Sequence, residues 1–485
     1  MTARPILVLA AGTLCLAACG DDESSNPADA PPPIPDANVD AGPYVAPTPV
    51  AVPLSAGGPD QLMTAVAGPA GSYYVAGFAA DGVDTTDVRF VTIAKLGADG
   101  ALDLAFGGGD GIATTGIAFV GGSDEIDLVV QSDGRIVVSA TVAATVGLGD
   151  RDIALARFET DGTPDALFGD AGVRTLNLNT AHDPGGGMPL TALDSARGLA
   201  VDSEDKLYLH AAQRGEVPAG RTDTDFVVVR LHADGDDDAG FGTGSKRLLD
   251  ITGGTPAVSL SATPRGIAVL ADGSVIASGY TTNPSFGAGP QPVLYKLDTD
   301  GELVPGFASG GLFHDIVLTT QTEIYGFAVH GTNVVTGGYG REAGDQNDWV
   351  SMRFAVSDGA RDLTWGGAPN GAVVHDVSGA LIGDNCRNAI GLPDGSTVLV
   401  GSTGPGNMLP MQDAVFAVLS PTGTLDPRYG TGIHTYAFAG TPGNDQIWGG
   451  AVSGTTAVLV GYKSAGATQT TAFNDDAYVV VLPIE

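Results

Sequence analysis

The stretch DGALDLAFGGGDG at 99–111 returns five more times along the chain. It reads DGTPDALFGDAG from 161, DGDDDAGFGTG from 234 and DGELVPGFASG from 300, then DGARDLTWGG from 358 and TGTLDPRYGTG from 422. Recurrence at this spacing restricts the chain to a repeat architecture, and the period has to be settled before any local motif is interpreted. The turn glycines Gly100, Gly162, Gly235, Gly301, Gly359 and Gly423 lie between 58 (Gly301 to Gly359) and 73 (Gly162 to Gly235) residues apart. Yet an aromatic always follows six residues later: Phe106, Phe168, Phe241, Phe307, Trp365 and Tyr429. Asp103, Asp165, Asp238, Asp362 and Asp426 stand three after the glycine, and only the fourth unit lacks this Asp. Glycine supplies the positive φ of a tight turn, the Asp accepts loop N–H groups, and the aromatic folds back between neighbouring sheets. The recurrent stretch therefore reads as a structural connector.

Between connectors, apolar alternation is nearly continuous. IDLVVQSDGRIVVSATV (126–142) reads as two strands joined at Asp133-Gly134, a strong hairpin signal. RDIALARF (151–158) and GVRTLNL (172–178) supply a third and a fourth, with the connector between them. The pattern in KLGADGALDLAFG, RFETDGTPDALFG and RLHADGDDDAGFG resembles the delta-60 repeat of bacterial exported proteins, over about residues 58–485 and more faintly in the fifth and sixth units. That resemblance implies a β-propeller-like fold and brings no settled activity.

The first hairpin and the third strand each occur seven times, the fourth strand only six. APTPVAVPLSA (46–56) precedes the first hairpin and can supply the missing strand, its prolines suiting an edge. The expected fold is all-β: a seven-bladed β-propeller of four-stranded antiparallel blades, its ring closed by an N-terminal strand. Closure leaves no long edge exposed, whereas the competing architecture, a linear β-solenoid, would.

The first 45 residues stand apart. Residues 1–19 carry one charge, Arg4, and an apolar run from Pro5 to Ala18, the pattern of a secretory signal. Its end, Leu16-Ala17-Ala18-Cys19, resembles the bacterial lipobox, which implies diacylglycerol on Cys19 and attachment to a membrane. Residues 20–45, rich in Asp, Ala and Pro, read as a disordered tether that would reach about 80 Å at ~3.1 Å per residue. Residues 46–485 form the propeller. Gly20 rather than Asp after Cys19 points to the outer membrane, with periplasmic and surface exposure both open. Cys386 alone remains in the body and reads as a small buried hydrophobe. With 22 Lys and Arg against 56 Asp and Glu, net −34, the chain would repel phosphate backbones, so nucleic acid is excluded as a partner.

In a propeller, the first-to-second and third-to-fourth strand connections share one face. The remaining connections share the other. Here the first class is short and uniform, whereas the second varies widely, as in 179–195 and 213–225. The variable-loop face is the candidate binding surface. Aligning the innermost strands puts Met63, Ile126, Arg197, Arg265, Tyr325, Arg387 and Trp448 in one register, often followed by glycine (Gly198, Gly266, Gly326, Gly449). Planar guanidinium groups beside aromatic faces suit a carboxylate, a sulfate or an acidic sugar. The competing reading has each arginine bracing the blades against a local carboxylate such as Asp384 or Glu323.

Asp-Gly-x-x-Asp is also the tail of a calcium loop, but Lys95, Arg157, Arg230 and Lys296 occupy a position where the metal needs an anion; Asp298 stands as an acidic residue at the second ligand position of the fourth unit. No metal and no cofactor is expected. The histidines are scattered, and His314-Asp315 and His375-Asp376 recur beside LLDI (248–251) as strand residues. GTGSK (242–246) breaks the phosphate-loop spacing. The function expected is that of an exported binding or scaffolding module for a protein or glycan. The rival is a polysaccharide hydrolase or lyase with a loop-built site around Arg197, Arg265 and Arg387. A pair of carboxylates beside those arginines would favour the rival.

Overall fold

The computed structural model describes residues 44–484, except 81, 83–87, 121–124, 144–150, 179–193, 215–222, 252–259, 379–382, 405–411, 439–443 and 465–474. The signal, Cys19 and nearly all of the tether lie outside the described residues. So do most of the two long segments at 179–195 and 213–225. Seven separate four-stranded antiparallel sheets make up the body, which is a seven-bladed β-propeller. The first strands of successive blades are neighbours around the ring, and that of blade 7 (Gln446–Ser453) returns to that of blade 1 (Asp60–Ala67).

Closure is made by both ends of the body. The short strand Val50–Ala51 pairs antiparallel with the last strand, Asp475–Pro483, through Val50↔Val479 and Ala51↔Tyr478. Pro47, Pro49 and Pro53 flank this two-residue pairing on the outer edge, where a missing N–H costs no ladder bond.

Seven apolar clusters fill the seven gaps between adjacent blades, in place of one central core. Third strands such as Asp413–Leu419 are buried on both faces, so they read as unbroken apolar runs; fourth strands such as Ile433–Tyr436 are half exposed. Six of the clusters contain a connector aromatic. The seventh, between blades 7 and 1, is filled by Val52 and Leu54 from the closing segment.

The connectors form a chain of contacts around the ring. A Cβ on Gly235 would lie 2.8 Å from the Phe168 ring, and one on Gly301 would lie 3.0 Å from the Phe241 ring. Each aromatic thus seats on the turn glycine of the next blade, and the glycines hold φ of +91° and +85° there. Backbone bonds follow the same path, Gly107 N–H donating to the Asp161 carbonyl (2.9 Å) and Gly242 N–H to that of Asp300 (2.8 Å). Gly100 is the exception, meeting Val479 and Val481, because no connector precedes it. At the other end of the series Tyr44 packs edge-on to Tyr429, 5.6 Å between ring centres.

The cations that argue against calcium loops are part of this device. Lys95 pairs with Asp103 at 2.8 Å, Arg157 with Asp165 at 2.7 Å and Arg230 with Asp238 at 2.7 Å. Arg157 and Arg230 also lie 4.7 Å over Phe168 and Phe241 and donate to carbonyls of the next connector, Ala233 and Thr299. The sixth unit has Val418 at the strand position, and Arg428, from inside the connector, pairs with Asp426 instead (2.6 Å). Asp298 has its Oδ1 taken by the N–H groups of Asp300 and Glu302.

Candidate functional site: the axial cavity

Every innermost strand runs from the inter-blade connections toward the connector face, and the aligned register falls in its first half. The structure brings all seven predicted residues together: Met63, Ile126, Arg197, Arg265, Tyr325, Arg387 and Trp448 line one cavity of about 70 Å³ on the axis. At roughly 10–15 Å³ per water, it has room for about five waters.

A local backbone feature puts them there. Pairing between first and second strands skips one residue at Met63, Arg197, Tyr325, Arg387 and Trp448, and skips Arg265 with Gly266. These are β-bulges, which bend the strand and re-aim the extra residue. In blades 1, 5, 6 and 7 the carbonyl two residues upstream of the bulge sits close against the second strand. There a Cβ on Gly77, Gly338, Gly401 or Gly461 would lie 1.8–2.0 Å from the oxygen of Gln61, Glu323, Asn385 or Gln446. The glycines that follow the axial residues serve crowding of another kind. A Cβ on Gly198 or Gly449 would come within 2.8 Å of the Arg265 or Met63 carbonyl in the next blade.

An aspartate three residues before the axial residue anchors the strand in four blades. Asp60 accepts from Leu54 and Ser55 N–H (2.8 Å each) and Ala477 N–H (2.7 Å). Asp194 accepts from Leu178 N–H, and Asp384 from Val377 and Ser378 N–H. Asp445 accepts from Ser464 N–H. Burial pushes the Asp60, Asp384 and Asp445 carboxyls up, Asp384 to about 6 and Asp445 to about 7. These ties belong to the scaffold, and the bracing partnership expected for Asp384 is thereby corrected: its oxygens face backbone N–H groups and the Thr403 hydroxyl, not Arg387.

The three arginines are not equivalent. Arg265, 4% exposed, is ion-paired with Glu125 from blade 2. Its guanidinium lies 4.0 Å over Tyr325 and 5.6 Å over Tyr280. Arg387 lies between Trp448 at 4.7 Å and Tyr325 at 5.4 Å, its Nε donating to Gln446 Oε1 at 3.3 Å. Tyr280, Arg265, Tyr325, Arg387 and Trp448 thus alternate as rings and guanidiniums along the wall of blades 4 to 7. Tyr325 is fixed by Tyr339, 2.9 Å between hydroxyls. Arg197, from blade 3, is buried and lines the same cavity. Glu323, the other expected partner, lies behind the aromatic layer; burial raises its pKa, and it accepts from Gln321 Nε2 at 2.6 Å.

Two carboxylates share the cavity. Glu125 is held by Arg265. Asp127 accepts from the Thr64 hydroxyl (2.8 Å) and the N–H groups of Leu128 (2.9 Å) and Leu199 (2.8 Å), tying blades 1, 2 and 3. Desolvation raises it to about 6. The side-chain oxygens of Asp348, Asp376 and Asp384, and of Asp223, Asp225 and Asp250, gather within 4.8 Å at blade edges; Asp384, Asp223, Asp225, Asp250 and Asp376 all have partners in the fold. His314 stacks on Phe286 at 4.0 Å, and buried His375 sits opposite Trp349 in the ladder. Cys386 is fully buried, its thiol pushed up to about 12.

The architecture defines a β-propeller repeat protein, and comparison agrees at that level. A family profile described as "Domain of unknown function (DUF5122) beta-propeller" matches residues 131–168, from the hairpin turn of blade 2 to its connector aromatic. No curated protein matches the chain. Among solved structures, the polysaccharide lyase Uly1 is similar at 8% identity and TM-score 0.45, over 89% of this chain and 91% of that one. The Hadza microbial sialidase Hz136 is similar at 12% identity and TM-score 0.40, over 74% and 65%. A glucose dehydrogenase is similar at 11% identity and TM-score 0.36, over 73% and 96%.

Proposed function

We propose that this chain is an exported, lipid-anchored β-propeller that binds a protein or glycan through its variable-loop face, with the axial cavity at the centre of that face. Its units group with the delta-60 repeats of bacterial exported proteins, and Cys19 carries the lipid that holds it to the outer membrane. One observation carries the binding reading: bulges in six separate blades turn their axial residues into a single cavity. Each bulge forfeits ladder pairing, and bulges gather where a side chain must be re-aimed.

The rival, a polysaccharide-cleaving enzyme, has in its favour the carboxylate pair Glu125 and Asp127. Proton transfer needs a carboxyl within reach of substrate. Here Glu125 is committed to Arg265, and both oxygens of Asp127 are occupied by donors from the fold. The cavity, moreover, is several-fold too small for a polymer segment. Binding is the better-supported reading.

Thermal unfolding of the full chain with neutral and acidic oligosaccharides tests it. Ligand at 100 times its Kd adds about 2.7 kcal/mol of stability, a readable shift. The reading stands if an oligosaccharide raises the midpoint without being cleaved. Chain-length products in the same samples would install the enzyme in its place. For the anchor, Cys19→Ser should move the protein from the membrane fraction to the soluble one; an unchanged distribution refutes lipidation.

A further inference from the structure

We infer that the axial cavity recognises a single carboxylate, and that Arg387 is the residue that reads it. The inference deepens the binding reading above by naming the chemistry of the group that enters the axis.

Among the described residues, Arg387 forms no direct ion pair: its hydrogen bond goes to the neutral Gln446, and Glu323 acts on it only at longer range. Its guanidinium carbon lies over the Trp448 and Tyr325 rings, so the group is held without a directly paired anion. Tyr325 is itself locked by Tyr339, and Trp448 by its own bulge. With Nε alone spent on Gln446, the terminal N–H groups are left for a partner in the guanidinium plane, and two parallel N–H donors match the two oxygens of a carboxylate. The orientation is set before any ligand arrives, which lowers the cost of binding.

The rest of the cavity decides against a cation. Glu125 is neutralised by Arg265, and both oxygens of Asp127 accept from the fold, so both acids are engaged in holding the ring together. Glu323 accepts from Gln321 and lies in the field of Arg265 and Arg387, so it too is committed within the fold. A space for about five waters accommodates a small acid or the carboxylate end of a sugar acid. The shared chemistry is the carboxylate, whether free or at the end of an acidic glycan.

Isothermal titration of the full chain with succinate, digalacturonate and neutral galactobiose separates the sources. At least one of the two acids should bind, galactobiose should not require Arg387, and Arg387→Lys should weaken acid binding at least tenfold. Lysine keeps the charge but loses the planar fork, so the variant tests geometry and not only electrostatics. Its thermal midpoint should match the parent's, and Arg387→Gln should abolish acid binding. The inference is overturned if neither acid binds the folded parent, or if Arg387→Lys binds as tightly as the parent. Neutral and acidic glycans binding equally, with Arg387→Lys unaffected, would leave the glycan-binding reading intact and remove this one. Succinate binding that is lost in Arg387→Lys, with no response to any sugar, would do the reverse.

Discussion

Replacing Gly301 by alanine offers a direct measure of the contact that links one blade to the next. The added Cβ would lie 3.0 Å from two atoms of the Phe241 ring, at a residue held at φ +85°. An L-residue in that left-handed conformation costs about 1–2 kcal/mol. Overpacking a filled site adds about 1–3 kcal/mol, so Gly301→Ala should destabilise by about 2–5 kcal/mol. Phe241 is fully buried, and Phe241→Ala should cost about 3–5 kcal/mol on its own. Together the two should cost about 1–3 kcal/mol less than their sum, because the methyl then enters space the ring has left. Gly244→Ala is the reference: φ is +60°, nothing lies within 4 Å, and only the conformational cost of about 1–2 kcal/mol applies. Urea unfolding followed by tryptophan fluorescence gives the four stabilities from midpoints at a common slope. A double variant additive to within about 0.5 kcal/mol would refute the aromatic-on-glycine coupling between blades.

Two further outcomes are expected. The raised carboxyls Asp127, Asp348, Asp384 and Asp445, at about 6 to 7, hold more protons folded than unfolded, so their contribution is full below about pH 4 and is lost as pH rises through 6–7. Asp362, depressed to about 2, contributes above about pH 4 and is lost as pH falls through 2. Thermal midpoints across pH should therefore peak at about pH 4 and fall toward pH 7, and Asp445→Asn should flatten the alkaline limb; a midpoint still rising from pH 4 to pH 8 contradicts the assignment. Deleting residues 44–56 removes Val52 and Leu54, worth about 3–6 kcal/mol of burial, and bares the Asp475–Pro483 edge. Gel filtration should show self-association, and a deletion that stays monomeric with an unchanged midpoint would contradict the closing role.

The ring, its seven blades and the closing strand were legible because a fixed six-residue step ties each turn glycine to its aromatic. That step reflects a contact between blades, so it resists the drift in repeat length from loops. The axial register was legible too, as an alignment of first strands. Hidden from it was the bulge, which exists only as a mismatch with the second strand. Its signature was nevertheless present in that second strand, as Gly77, Gly338, Gly401 and Gly461, each ceding room to a displaced carbonyl. The anchoring aspartates Asp60, Asp194, Asp384 and Asp445 also stood at a constant offset, three residues before the axial position. The difference between Arg265 and Arg387 could not be read at all: Glu125 lies 140 residues from Arg265 and meets it only once the ring has closed.

The strand that closes the ring also sets the order of events during synthesis. Val50 is among the first folded residues to emerge, and its partner Val479 is among the last. Blade 7 therefore waits for the last strand of the ring, and a growing chain carries an unpaired N-terminal strand until then. A stalled or clipped chain shows an open ring with two raw edges, while a finished one shows none. The seam thus works as a completeness check, separating whole molecules from fragments before any ligand is met.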